Sequence, residues 1–72
     1  MNKMAIESFD RPRDRIIREA EREELTGLSR TTWWRMERYG LAPRRRHISA
    51  NGVGWLLSEI SEWMNSRKTR AL

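Results

Sequence analysis

The stretch Thr26-Gly27-Leu28-Ser29-Arg30-Thr31-Thr32-Trp33-Trp34-Arg35-Met36-Glu37-Arg38-Tyr39-Gly40 decides how this chain is read. Gly27 suits the left-handed position that ends a helix, and Ser29, two residues on, is a good N-cap for the next one. The spacing predicts a helix from Arg30 to Tyr39, closed at Gly40 by the same device. Trp33 and Met36 are three apart and share a face with Leu28, so they point toward a core. Arg30, Thr31, Arg35 and Arg38 then form a polar flank. Adjacent residues on a helix point about 100° apart. Trp34 therefore cannot face the same core as Trp33, and either packs under a neighbouring element or touches a partner at the surface.

Upstream, the chain turns helical from Asp10 or Asp14 to Leu25, with Asp available as N-cap and Pro12 tolerable in a first turn. Ile16, Ile17, Ala20 and Leu25 are the core candidates, and Glu19, Glu21, Glu23 and Glu24 make one flank acidic. Ile16-Ile17 could equally sit in a short extended segment ahead of a shorter helix. Downstream, Asn51-Gly52 lies between two short runs, a strong hairpin signal. It predicts strands at about 45–48 and 53–55 with the tip at 49–52. Leu56, Leu57, Ile60, Trp63 and Met64 recur at spacings of three and four, predicting a last helix over roughly 56–68. The expected fold is mainly α with a small β-hairpin, a winged helix-turn-helix made of helix, turn, recognition helix, two-stranded wing and C-terminal helix. Its expected organisation is a flexible arm over 1–10, the domain over 11–68 and a frayed end over 69–72.

Length and composition narrow the chemistry. Seventy-two residues make one domain, and so short a chain buries only about 60% of its unfolded surface. With no Cys and one His, neither disulfides nor a zinc framework anchor it. The anchoring falls to large side chains, and Trp33, Trp55 and Trp63 are expected in the core. No apolar run approaches the length of a membrane span, and the first ten residues lack the apolar block of a signal peptide, so a cytoplasmic protein is expected. The net charge of +5 is uneven. Residues 1–25 balance at −1, residues 26–47 hold six Arg against one Glu for +5, and residues 48–72 balance at +1.

Six arginines in one third of the chain attract a polyanion, and the arginine fork pairs with phosphate or with the O6/N7 edge of guanine. In a helix-turn-helix the second helix enters the major groove with its N-terminal residues near the bases. The expected DNA-binding residues are Ser29, Arg30, Thr31, Thr32, Trp34, Arg35 and Arg38 on that helix, and Arg44, Arg45, Arg46 and His47 on a basic wing. Arg35 is expected to read a base and Arg45 to hold a phosphate. Glu37 can pair with a neighbouring Arg. A protein-interaction module that docks an acidic partner through the same arginines is the competing reading. No phosphate-binding glycine loop, nucleophile–base pair or paired carboxylate is present, so neither an enzyme nor a cofactor or metal protein is expected.

Leu25-Thr26-Gly27-Leu28-Ser29-Arg30-Thr31-Thr32, with Arg35, Gly40 and Pro43, resembles the AlpA family of small phage and prophage DNA-binding regulators. So, more specifically, does Val53-Gly54-Trp55-Leu56 with Ser58-Glu59-Ile60 and Glu62-Trp63. The resemblance runs roughly from Arg15 to Met64. It implies a winged-helix fold related to MerR DNA-binding domains and phage excisionases. It also implies a function at double-stranded DNA in a bacterial host: transcriptional regulation, or recombination directionality in which attachment-site DNA is bent and an integrase assisted. Further copies of the chain on adjacent sites are implied as partners. By position, Ser29 to Thr32, Trp34, Arg35 and Arg38 fall on the family's recognition helix, and Arg44 and His47 fall where Lys often precedes the wing. Three positions depart from the family pattern. Asn51 stands where the wing tip usually carries Arg, Arg22 replaces an apolar residue, and Trp33-Trp34 is bulkier than the common Ile-Tyr.

Overall fold

Ser29 caps as its place in the sequence suggests. Its Oγ accepts from the Thr32 amide at 3.2 Å, so one of the orphan N–H groups of a helix start is satisfied. The helix it opens, Arg30–Arg38, ends in a Schellman arrangement: the Gly40 amide donates to Glu37 O at 3.1 Å and the Leu41 amide to Met36 O at 2.8 Å. Gly40 has φ 71° and Gly27, which closes the preceding helix, φ 75°. The computed structural model describes residues 14–70. In chain order its elements are β1 (Ile16–Ile17), α1 (Glu19–Thr26), α2 (Arg30–Arg38), β2 (Arg46–His47), β3 (Val53–Leu56) and α3 (Leu57–Asn65). The expected arm over 1–10 lies outside the described residues.

Two expectations are corrected. The sheet has three strands rather than two, in the order β1-β3-β2, with both pairings antiparallel. Ile16 stands opposite Leu56 and Ile17 opposite Trp55; Arg46 stands opposite Gly54 and His47 opposite Val53. Of the two readings of Ile16-Ile17, the extended one holds, and α1 begins only at Glu19. Asp14 does not cap α1. Its carboxylate accepts from the Ser58 amide and the Ser58 hydroxyl, each at 3.0 Å, so it caps the last helix from 44 residues away. Leu56, the residue at the α3 N-cap position, has no side chain able to do this, and a carboxylate there also complements the helix dipole. The Leu57 amide donates to Arg15 O at 2.8 Å, a second tie between the two segments.

The buried centre is Ile17, Trp33, Ala42, Trp55 and Ile60, with Leu28, Met36, Leu57, Trp63 and Met64 packed against it. Trp33 meets Trp55 edge-on at 6.3 Å and Trp63 edge-on at 5.0 Å between ring centroids, the geometry that indole quadrupoles favour. Trp63 is half-buried rather than enclosed, and its Nε1 donates to Leu41 O at 2.8 Å. Ile16, Ala20 and Leu25, expected in the core, are exposed. The face of α1 that turns inward carries Arg22, whose side chain is 0% exposed. Its guanidinium lies 4.9 Å from the Trp33 ring centroid and 5.9 Å from that of Trp55. Nη1 donates to Thr26 Oγ1 at 3.2 Å and to Leu28 O at 2.6 Å, and Nη2 pairs with Glu19. Arg22 thus ties α1 to the turn that leads into α2. On the outer side of α1, Arg15 holds the Glu21 carboxyl below its ordinary range, mainly by a hydrogen bond.

Candidate nucleic-acid interface

Because α2 buries Trp33 and Glu37 and half-buries Thr32 and Met36, its remaining side chains face outward. Arg30, Thr31, Trp34, Arg35 and Arg38 are exposed, and Trp34 at 52% is far too open for a core indole. The Arg38 guanidinium lies 6.0 Å from the Trp34 ring centroid, at the outer limit of a cation–π contact. Shallow grooves meet around Trp34. One is lined by Arg30, Thr31, Trp34 and Arg45, another by Trp34, Glu37, Arg38, Arg44 and Arg45, and a third by Thr31, Trp34, Arg35, Arg38 and Tyr39. The fold therefore brings Arg30 and Arg38 of α2 beside Arg44 and Arg45, which precede β2, with Arg35 on the far side of Trp34.

The other expected site residues are placed differently. The Ser29 and Thr32 hydroxyls are engaged with each other at 3.1 Å in the cap. Arg46 leans toward α3 and forms an ion pair with Glu59 at 2.6 Å; the hydrogen bond it donates to this carboxylate raises the Arg46 pKa. His47 is exposed on β2. Ile48 donates to Gly52 O at 3.0 Å and closes the hairpin tip, and Arg18 Nε reaches across to Val53 O at 3.0 Å.

Glu37 does more than pair with an arginine. It is 6% exposed, and its Oε2 accepts from Trp33 Nε1 at 2.8 Å and from Trp55 Nε1 at 3.0 Å. Its Oε1 accepts from Arg45 Nε at 2.9 Å. One carboxylate thus joins α2, β3 and the segment before β2. The pairing with an Arg was readable from its position as the one acid among residues 26–47; the two indole donors were not. Among the described residues, no group of three or more His, Cys, Asp or Glu could hold a metal ion, and no helix is long and apolar enough to cross a membrane.

Three short helices on a small antiparallel sheet, with one basic helix face left open, define a small, basic, mainly α domain. Residues 15–68 match the family described as Prophage CP4-57 regulatory protein (AlpA), and the chain belongs to that family. It is also 36% identical over 58 residues to the uncharacterized protein ORF88 of Enterobacteria phage P4. That alignment covers 81% of this chain and 66% of the relative, so the chain spans just under two thirds of that protein's length.

Proposed function

We propose that this chain is a winged helix-turn-helix protein that binds double-stranded DNA sequence-specifically, as a phage or prophage transcriptional regulator, an excisionase, or both. In this reading the domain runs over 11–68, α1 and α2 form the helix-turn-helix, α2 is the recognition helix and the β2–β3 hairpin is the wing. The observation that carries it is the convergence of Arg30, Arg35 and Arg38 with Arg44 and Arg45 around the exposed Trp34. Membership of a phage regulatory family supports the same reading. Arg35 would reach a base edge, while Arg44, Arg46 and His47 would follow a phosphate strand or the adjoining minor groove, where negative potential favours arginine. A single module of this kind buries about 600–1,000 Å² on DNA. Useful specificity then calls for further copies on adjacent sites, and an integrase would be the partner in excision.

The deciding experiment is selection of bound sites from random duplex DNA, followed by titration of the selected and scrambled duplexes over a range of salt. Tight binding to the selected duplex is expected, with log K falling by about 0.9 per phosphate neutralised for each decade of salt. Equal affinity for selected and scrambled DNA at about 150 mM salt would overturn sequence-specific recognition. Footprints then separate the roles: direct repeats beside an integrase attachment site, with strong bending, mark excision, and overlap with a promoter marks regulation.

A further inference from the structure

Glu37 is the one acid among residues 26–47, and a carboxylate amid six arginines opposes the attraction of a polyanion unless its charge is spent inside the fold. It is spent there. Two core indoles fix its Oε2, and the remaining oxygen holds Arg45 by Nε at 2.9 Å. The Arg45 guanidinium also lies 5.9 Å from the Trp55 ring centroid. Its head is therefore held at one edge by a buried anion and flanked by a buried ring. Among the described residues its hydrogen bond is made through Nε alone, and the residue lines two of the grooves. One of those grooves also contains Arg30 and Thr31, the first turn of α2, where a recognition helix meets base edges.

A phosphate contact tolerates a mobile arginine. A base contact requires the fork to lie in the plane of the base with both Nη groups aimed at O6 and N7, and prior fixation reduces the entropy lost on docking. We propose that Glu37 is a positioning residue that fixes Arg45 as a reader of a guanine edge in the major groove, beside the start of α2. This assigns Arg45 a base rather than the phosphate expected from its place in a basic run, and it rests on the DNA-binding reading above.

The test compares wild type, Arg45→Lys, Arg45→Ala and Glu37→Gln on the selected duplex, on a scrambled duplex, and on the selected duplex with each guanine replaced in turn by 7-deazaguanine. Arg45→Lys keeps the charge and loses the fork. It is expected to lower the selected-to-scrambled affinity ratio about tenfold or more, with the salt slope kept because the charge is kept. One 7-deazaguanine position should weaken wild type similarly and Arg45→Lys no further. Glu37→Gln should reduce the selected-to-scrambled ratio in the same way. In case that variant does not fold, the free wild-type protein provides a second reading of Glu37: the Arg45 Nε–H should give a resolved NMR resonance protected from solvent exchange. Unchanged binding of both duplexes by Arg45→Lys, with Arg45→Ala weakening both alike and lowering the salt slope by about one, would make Arg45 a phosphate contact and overturn the proposal. An unprotected Nε–H would remove the positioning role. Wild type that prefers no duplex sinks the DNA reading itself, whereas wild type that is selective with unchanged variant ratios sinks only this inference.

Discussion

A buried guanidinium is costly unless its donors are matched, and Arg22 is matched at three points of its fork. Nη1 and Nη2 are engaged with Thr26, Leu28 and Glu19, and two indole faces lie within cation–π range. Among the described residues, Nε is left without an acceptor. Its partner Glu19 keeps 32% of its side-chain exposure, so loss of Arg22 would not strand a fully buried anion. The larger loss is packing and the bond to the Leu28 carbonyl. Arg22→Ala is expected to lower stability by about 2–4 kcal/mol, and Arg22→Met, which keeps an unbranched stem against the indoles, by clearly less. Urea unfolding of the two variants checks this, and equal losses would show that the hydrogen bonds, not the packed stem, dominate. The helix's own pattern shows Arg22 as one more charge on an acidic helix, and only the family resemblance, which puts an apolar residue there, points inward. Only the arrival of Trp33 and Trp55 from later elements makes its position an interior one.

The elements differ in how far they could be read. α2, the hairpin and α3 carry their signals locally, in Ser29 and Gly40, in Asn51-Gly52, and in the Leu57, Ile60 and Met64 stripe. β1 is two residues long, below any periodicity, and exists because β3 offers it an edge. Asp14 was legible as a capping residue, yet the helix that it caps lies at the far end of the chain. Gly54 shows how close the β1–β3 approach is. A Cβ there would stand 2.7 Å from Ile17 O, a backbone atom, and 2.7 Å from Ile16 Cγ2. A Cβ at Gly52 would meet the Ser49 hydroxyl at 2.7 Å, and that side chain can rotate away. Gly54→Ala is therefore expected to destabilise the fold by about 2 kcal/mol and to expose the β1 amides to hydrogen exchange, with Gly52→Ala much milder. Similar protection of β1 in both variants would refute that account.

At the scale of the whole molecule, the candidate site is easier to read than the frame that holds it. The arginines of residues 26–47 announce a basic surface from composition alone. Their separation into exposed ones on α2, Arg45 held by Glu37, and Arg46 paired with Glu59 depends on tertiary contacts. The frame closes through the first described residues, since Ile17 is in the core and Asp14 and Arg15 hold the start of α3. A chain beginning at Glu19 is expected to lose its cooperative thermal transition by circular dichroism altogether. A sharp transition shifted by only a few degrees would contradict this. The strand order β1-β3-β2 also sets a timetable for synthesis. β1 leaves the ribosome before its pairing partner β3, and Asp14 beside it waits for Ser58, 44 residues later. At about 5–20 residues per second the delay is on the order of 2–9 s. Throughout that interval β1 has no sheet to join, so the nascent domain can close around its core only after Ser58 has been added.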